Sequence, residues 1–415
     1  MAVRSIYFGW YVVGASLLIY SLIIGSIFAS FGMYVLPVSE EFGLSRAEIN
    51  TGLIILNLGN AAMAPFIGRL LDRVPAKRVM AISAVLLGGS LMALGLSRSL
   101  WLDTAIIAVP VAVGVLGSGT ISVSVMIARW FTVYRGRAMA LAAIGMSLGG
   151  IIVTPIVGLL IATEGWRTTL LVVGAAVGVL MLMLALSMRE RPGPNDHETR
   201  AQGAKTPAQQ EAARAASNVP PPSAGMILRM PLFWVLSIGI AMGSGVNQGL
   251  MISLVPLALE SGLTTMESAS LVSVTGVAGI ASMLLLAVIA DRWDRTAMLS
   301  GLTLIGAIPC ACLLVAESFP ALVVTALIIG LSLAVVTPIY IALLADRFGL
   351  SAFGTVRGLL VPVMSVIGAL SVRFIGEIYD RTGNYDLGLW IYLGFDAVAA
   401  ALIISTRWMR SPTAT

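Results

Sequence analysis

Two ionisable side chains fall inside long apolar runs, Arg373 and Asp396. A charge at membrane depth costs about 2.5–3.5 kcal/mol on insertion scales, so each needs a partner or a task. The chemistry on offer is anion binding by the Arg373 guanidinium and proton uptake by the Asp396 carboxyl, the candidate for coupling a proton to movement of a solute. Two further roles stand open to Arg373: an ion pair with Asp396 or with Glu377 one turn away, or a side chain that snorkels to the outer interface. Uncharged polar residues in other apolar runs supply the remaining candidates for touching a solute, namely Tyr20, Asn57, Ser122, Asn247, Gln248 and Tyr340. Asn247-Gln248 is the most informative pair, because two amides beside Gly243, Gly245 and Gly249 are costly without water or a ligand. A serine such as Ser122 bonds a carbonyl of its own helix by default.

Catalysis finds no comparable footing. One histidine, His197, stands in a polar stretch, and Cys310 and Cys312 sit two apart, where a helix turns them to different faces. Neither a disulfide framework nor a metal site follows. A phosphate-cradling G-x-x-x-x-G-K-[S/T] run is absent, so energy should come from an ion or solute gradient; no cofactor and no enzyme activity is expected. Of the 415 residues, 58% are hydrophobic and 11% charged, where a soluble protein carries about 25% charged residues. The 43 Gly and 18 Pro suit spanning helices, in which neighbours re-satisfy the backbone. A polytopic membrane protein, with the lipid bilayer as its surroundings, is what remains. The net charge of +5 and the pI near 9.5 do not imply nucleic acid, since the basic residues cluster between apolar runs rather than along one face.

A hydrocarbon core of about 30 Å takes about 20 residues of helix. Twelve uncharged runs of that order occur, near 9–36, 49–71, 78–97, 104–129, 138–162, 168–188, 232–258, 268–290, 297–316, 321–345, 356–378 and 387–406. The first is too long and too weakly flanked for a cleaved leader and is read as a span. With the amino terminus inside, all of the 25 Lys and Arg except Arg46, Arg98, Arg167, Arg373 and Arg381 fall on the inner side. Both termini therefore face the cytoplasm, in a plasma (inner) membrane. The predicted organisation is an all-α membrane protein with a six-helix bundle over 1–188, a cytoplasmic linker over 189–229 holding Pro220-Pro221-Pro222 and a partly helical 208–216, and a second six-helix bundle over 230–415.

The two halves repeat. At one offset, Pro37 falls on Pro256, Gly43 on Gly262, Leu44 on Leu263, Glu48 on Glu267, Asp72 on Asp291 and Arg73 on Arg292; Gly158 with Gly376 and Gly165 with Gly383 differ from it by one. Parallel six-helix repeats of this kind place a substrate site near the midplane where they meet.

The short loop Gly68-Arg69-Leu70-Leu71-Asp72-Arg73-Val74-Pro75-Ala76-Lys77-Arg78 resembles the G-x-x-x-D-R-x-x-x-R/K signature of the major facilitator superfamily, with a degenerate second copy in Ala287, Asp291, Arg292 and Arg295. A small residue lets helices approach, and the Asp can accept from an Arg or a helix amino terminus. The resemblance implies the superfamily's twelve-helix fold and a cytoplasmic gate made of Gly68, Asp72, Arg73, Arg78, Arg129, Asp291 and Arg292, favouring the outward-facing state. The bland alternative is a loop staple with no part in switching. Tyr7-Phe8-Gly9-Trp10, the segments Ala128-Arg129-Trp130-Phe131 and Arg135-Gly136-Arg137-Ala138, the glycines Gly145, Gly149 and Gly150, and Gly376 to Tyr385 resemble the branch of monocarboxylate porters and oxalate:formate exchangers. That branch implies a small organic anion, a mono- or dicarboxylate, with a proton as candidate co-substrate, moved by a monomer through alternating access. Basic residues usual to the branch in the first and eighth spans are missing, so its anion and proton residues do not carry over. A drug or lipophilic-compound exporter is the alternative within transport, and a membrane solute sensor the alternative outside it.

Overall fold

The structure, a computed structural model, describes residues 7–44, 46–193, 196, 198, 223–260, 262–315 and 318–409. Most of the expected linker, including 208–216 and the three prolines, lies outside them, as does His197. Among the described residues, eleven stretches are long and apolar enough to cross a membrane. The longest, Arg135–Ser187, has 53 residues and would measure about 80 Å as one rod, more than twice a hydrocarbon core. It breaks at Gly165, whose φ of 79° is open to a residue without Cβ, and so holds two spans. Twelve helices result: α1 Gly9–Phe42, α2 Arg46–Arg73, α3 Ala76–Leu96, α4 Leu100–Trp130, α5 and α6 at 135–164 and 166–187, α7 Pro231–Glu260, α8 Thr265–Ile289, α9 Arg295–Leu313, α10 Phe319–Phe348, α11 Phe353–Thr382 and α12 Asp386–Ser405.

The repeat shows itself in how helices stop and start. Gly43 (φ 64°) follows α1 and Gly262 (φ 82°) follows α7; Gly165 (79°) and Gly383 (72°) end α5 and α11 in the same way. Each takes at a helix carboxyl end a positive φ that glycine adopts freely; Gly43 is left-handed (ψ 27°), whereas Gly165 is extended in ψ (161°). Thr264 and Glu267 form a reciprocal cap on α8, and Asp294 caps α9 through the Ala297 N–H. Glu267 is held below the usual carboxylate range by the backbone and hydroxyl hydrogens of Thr264.

Contacts divide the chain into two compact units, Met1–Ala224 with Phe348–Pro362, and Gly225–Arg347 with Val363–Thr415. In the first unit α1 and α5 meet at glycines: a Cβ on Gly145 would stand 2.0 Å from Leu17 O, and one on Gly149 2.4 Å from Ser21 O. Gly150 has nothing within 4 Å. Both helices widen at this crossing, over Ile24–Ala29 and Gly149–Val153. α4 widens similarly over Leu116–Thr120, where Ser118 and Ser122 donate to Gly114 O and Gly117 O and satisfy carbonyls that the wide turn frees. At the other end of α4, Trp130 and Phe131 are buried against Tyr7, Phe8 and Trp10. In the second unit the core gathers Val246, Leu250 and Leu254 of α7, Leu271 of α8, Cys310 of α9, Ile329 of α10, Ile375 of α11 and Tyr392 of α12.

Candidate functional site

Asp72 stands at the last turn of α2, and its carboxylate takes two hydrogens: Gly354 N–H donates to Oδ1 at 2.8 Å and Thr355 N–H to Oδ2 at 2.7 Å. Both donors belong to the first turn of α11, whose amide hydrogens have no acceptor inside the helix. An anion there also meets the positive end of the helix dipole. Small residues make the approach possible. A Cβ on Gly68 would lie 2.2 Å from Gly354 O, and one on Gly358 2.3 Å from Ala64 O. Ala64-x-x-x-Gly68 on α2 therefore interlocks with Gly354-x-x-x-Gly358 on α11, a small-residue crossing of the kind membrane helices use.

Arg129, closing α4, donates to Leu71 O at 2.7 Å and pairs with Glu190 beyond α6. Glu190 also accepts from Ala76 N–H at 2.8 Å and Lys77 N–H at 2.9 Å, capping α3. Four helix ends are thus tied by one ion pair. Eight residues on, Glu198 receives the N–H groups of Thr132, Val133 and Tyr134 together with the Thr132 hydroxyl. Burial pushes its carboxyl up, but those backbone donors outweigh burial and hold it below the usual carboxylate range. Arg73 and Arg78, expected in the gate, are exposed and reach no acceptor among the described residues. In the second unit Arg295 bonds Asp291 at 2.9 Å and also Asp346 at the end of α10, while Arg292 is exposed. The partner of Asp291 is thus Arg295, the first residue of α9, rather than Arg292: Asp291 lies in the turn after α8, and the extended Asp294 between them brings the start of α9 back over it.

The deep polar residues divide by exposure. Arg373 is exposed, and among the described residues no acceptor reaches it. Glu377 is taken by Arg381 at 2.6 Å, and both oxygens of Asp396 lack a partner, so neither ion pair open to Arg373 forms. α11 runs to Thr382, which puts Arg373 about 14 Å from that helix end rather than the 9 Å that a helix ending at 378 would give. Asp396, on α12, is 1% exposed. A Cβ on Gly306 of α9 would lie 3.4 Å from its Oδ2 and 3.9 Å from Asn247 Nδ2, so carboxyl and amide flank one glycine. Asn247 donates to Gly243 O at 3.0 Å. Gln248 is exposed and lies against α11, where a Cβ on Gly368 would stand 2.7 Å from its Oε1. Asn57 is exposed and donates to Leu53 O. Tyr20 and Tyr340 are buried, as is Ser122, whose hydrogen is spent on Gly117 O.

Several participants escaped sequence reasoning. Glu190 and Glu198 bond partners far away in the chain, and only an acidic residue set between Arg189 and Arg191 hinted at the first. The Gly354-x-x-x-Gly358 spacing was a readable sign of the α2 crossing. Also unforeseen is a mostly apolar cavity of about 410 Å³ at the end of the first unit opposite Asp72, walled by Phe31, Tyr34 and Phe42 of α1, Leu56 of α2, Asp103 of α4 and Trp166 of α6.

Comparison with known proteins sets this geometry in a family. The model of the Major Facilitator Superfamily matches residues 16–372. The uncharacterized MFS-type transporter YcxA of Bacillus subtilis (strain 168) is 24% identical over 90% of this chain and 89% of its own length. The probable sulfoacetate transporter SauU of Cupriavidus necator is 24% identical with the same coverage, 90% and 89%. Monocarboxylate transporter 12 of Rattus norvegicus is 25% identical over 67% of this chain and 61% of that protein. The solved proton:xylose symporter XylE superposes with a TM-score of 0.76 at 14% identity, covering 97% of this chain and 96% of that one, which establishes the shared fold. With the family model spanning most of its length and twelve apolar helices to carry the fold, this chain belongs to the Major Facilitator Superfamily and is a multi-pass membrane transporter, not an enzyme.

Proposed function

We propose that this transporter moves a small organic anion, a mono- or dicarboxylate, together with a proton by alternating access. The observation that carries the reading is Arg373: an exposed guanidinium about 14 Å from its helix end, without a counter-ion among the described residues. A cation within the hydrocarbon core costs up to about 2.5–3.5 kcal/mol, which a bound anion offsets. Two relatives with a similar chain, the probable sulfoacetate transporter of Cupriavidus necator and monocarboxylate transporter 12 of Rattus norvegicus, are named for organic acids. Gln248 and Asn57, exposed in this structure, serve as further hydrogen-bonding groups for the solute, while the buried Tyr20, Ser122, Asn247 and Tyr340 support the helices that carry them. Asp396 takes the proton, because an unpaired charge in its surroundings has nothing to compensate it. Asp72 on the start of α11 acts as a latch that releases during the cycle, with Gly68 and Arg129 holding its geometry and Asp291 with Arg292 and Arg295 as the second-half copy. The chain works as a monomer in the plasma membrane, both termini cytoplasmic, its bundles at 1–188 and 230–415 joined by the 189–229 linker.

Proteoliposomes test this directly. Uptake of labelled short-chain mono- and dicarboxylates, driven by an inward proton gradient, is expected for the wild-type protein and is expected to fall at least tenfold in Arg373→Gln. Uptake that ignores that substitution sinks the anion role of Arg373. The apolar cavity walled by Phe31, Tyr34, Phe42 and Trp166 favours a second reading, export of lipophilic compounds. Vesicles that move hydrophobic dyes and ignore every carboxylate would decide for it.

A further inference from the structure

Asp396 lies on the buried face of α12, with Tyr392 one turn before it and Ala399, Ala400 and Ile403 after it. Both oxygens of its carboxyl lack a hydrogen-bond partner. A Cβ on Gly243 of α7 would stand 3.8 Å from Oδ1, and one on Gly306 of α9 3.4 Å from Oδ2. Glycines from two helices thus clear a small space around the acid, and Asn247 Nδ2 lies within 4 Å of the same Gly306 position. The other nearby groups are already engaged or lack charge. From α9, Thr303 donates to Leu299 O at 3.0 Å, and the Cys310 thiol is buried; from α7 nothing ionisable faces the acid. From α11, Ser371 bonds the Tyr392 hydroxyl, which donates to Ser371 O at 2.7 Å, and Arg373 and Glu377 stand apart from the acid. Asn247 is therefore the amide donor that shares the space with Asp396, and one of its two amide hydrogens is given to Gly243 O, four residues back in its own helix, which sets where the amide stands.

We infer that Asn247 is the positioning residue that passes the charge state of Asp396 to α7. With the acid protonated, the amide holds the Gly243 carbonyl. When the proton leaves, the carboxylate draws the Asn247 N–H toward itself, and the carbonyl loses its extra donor at a point where Gly243, Gly245 and Gly249 leave the helix poorly stiffened. Proton loss becomes a bend in α7. The inference rests on Asp396 as the proton carrier, so its test separates the two.

Purified protein in lipid nanodiscs is followed through a pH series by infrared difference spectroscopy, which reads the protonated carboxyl band, and by hydrogen exchange over 243–250, corrected for the intrinsic pH dependence. Wild type is expected to lose a carboxyl band that Asp396→Asn lacks, and exchange in α7 is expected to rise several-fold over the same pH interval. Asp396→Asn is expected to keep the low-pH exchange at every pH. Asn247→Leu is expected to keep the titrating band and lose the helix response, with Asn247→Ser, too short to bridge, behaving alike should the larger change prevent folding; Asn247→Gln is expected to restore part of the response. A wild-type response in Asn247→Leu or Asn247→Ser overturns the inference and leaves the proton carrier standing. Absence of a titrating band removable by Asp396→Asn overturns the proton role itself, and the inference with it.

Discussion

Replacing Asp72 by Asn keeps the size of the side chain and removes one of its two acceptor oxygens along with the charge. Two hydrogen bonds, from Gly354 N–H at 2.8 Å and Thr355 N–H at 2.7 Å, are at stake. Bonds to a charged group are worth about 1.5–3 kcal/mol each and a neutral bond about 0.5–1.5. Asp72 is half-buried, so water competes and the lower ends apply: about 3 kcal/mol from two charged bonds becomes about 0.5 from the one neutral bond that Asn can still accept, a loss of about 2.5. At 1.4 kcal/mol per factor of ten, opening of the contact becomes about 60-fold easier. The amides themselves report it, because first-turn N–H groups of α11 have no acceptor within the helix. Hydrogen exchange of the peptide covering residues 353–358 is expected to show two amides accelerated by about that factor, with the remainder of α11 unchanged. If those two amides exchange at the wild-type rate, the carboxylate is not what closes the contact, and the latch has to be sought in the Gly68 and Gly358 crossing alone.

That crossing has its own test: Gly358→Leu sets a Cβ 2.3 Å from Ala64 O, and overpacking of this kind is expected to cost about 1–3 kcal/mol, read as a lower melting temperature and faster exchange at Gly354 and Thr355. Glu198→Gln is expected to expose the amides of Thr132, Val133 and Tyr134 to exchange at neutral pH. In the wild type, where the folded Glu198 carboxyl titrates below its ordinary value of 4.5, the protection is complete above that value and is lost as pH falls through the folded one. Asp396→Asn breaks no hydrogen bond and is expected to melt within about 1 kcal/mol of wild type, whereas Tyr392→Phe, one turn away, forfeits the bonds with Ser371 and is expected to lose about 1–2 kcal/mol. A destabilised Asp396→Asn would mean that the acid is paired after all.

Much of the fold could be read from the chain because the bilayer leaves few choices. With no water to take backbone hydrogens, every apolar run of about 20 residues has to be helical, and the runs alone recover the twelve spans. The repeat was legible for a related reason. Gly43, Gly262, Gly165 and Gly383 recur because each closes a helix with a positive φ, a task that tolerates little substitution. The capping glutamates were not legible, since Glu190 meets Ala76 and Arg129, and Glu198 meets Thr132 to Tyr134, across long stretches of chain that no local pattern joins.

The deep charges mark the limit of such reading most clearly. Depth follows from counting residues, and by that count Arg373 and Asp396 lie at similar levels in neighbouring segments, near enough to suggest a pair. Direction around the helix is a separate quantity, fixed by 100° per residue rather than by 1.5 Å of rise. On α12 the buried stripe runs through Leu389, Tyr392, Asp396, Ala399 and Ile403, a spacing of three and four that a helical wheel contains in full. Asp396 therefore belongs to the face packed on α7 and α9, while Arg373 stays exposed on α11. A carboxyl inside a helix-packing seam has no access to a mobile counter-ion and can change only its proton. An exposed guanidinium on another helix keeps its charge. The two charges are thus held apart, and on the function proposed above a proton and an organic acid would be bound by different residues and linked through the helices between them.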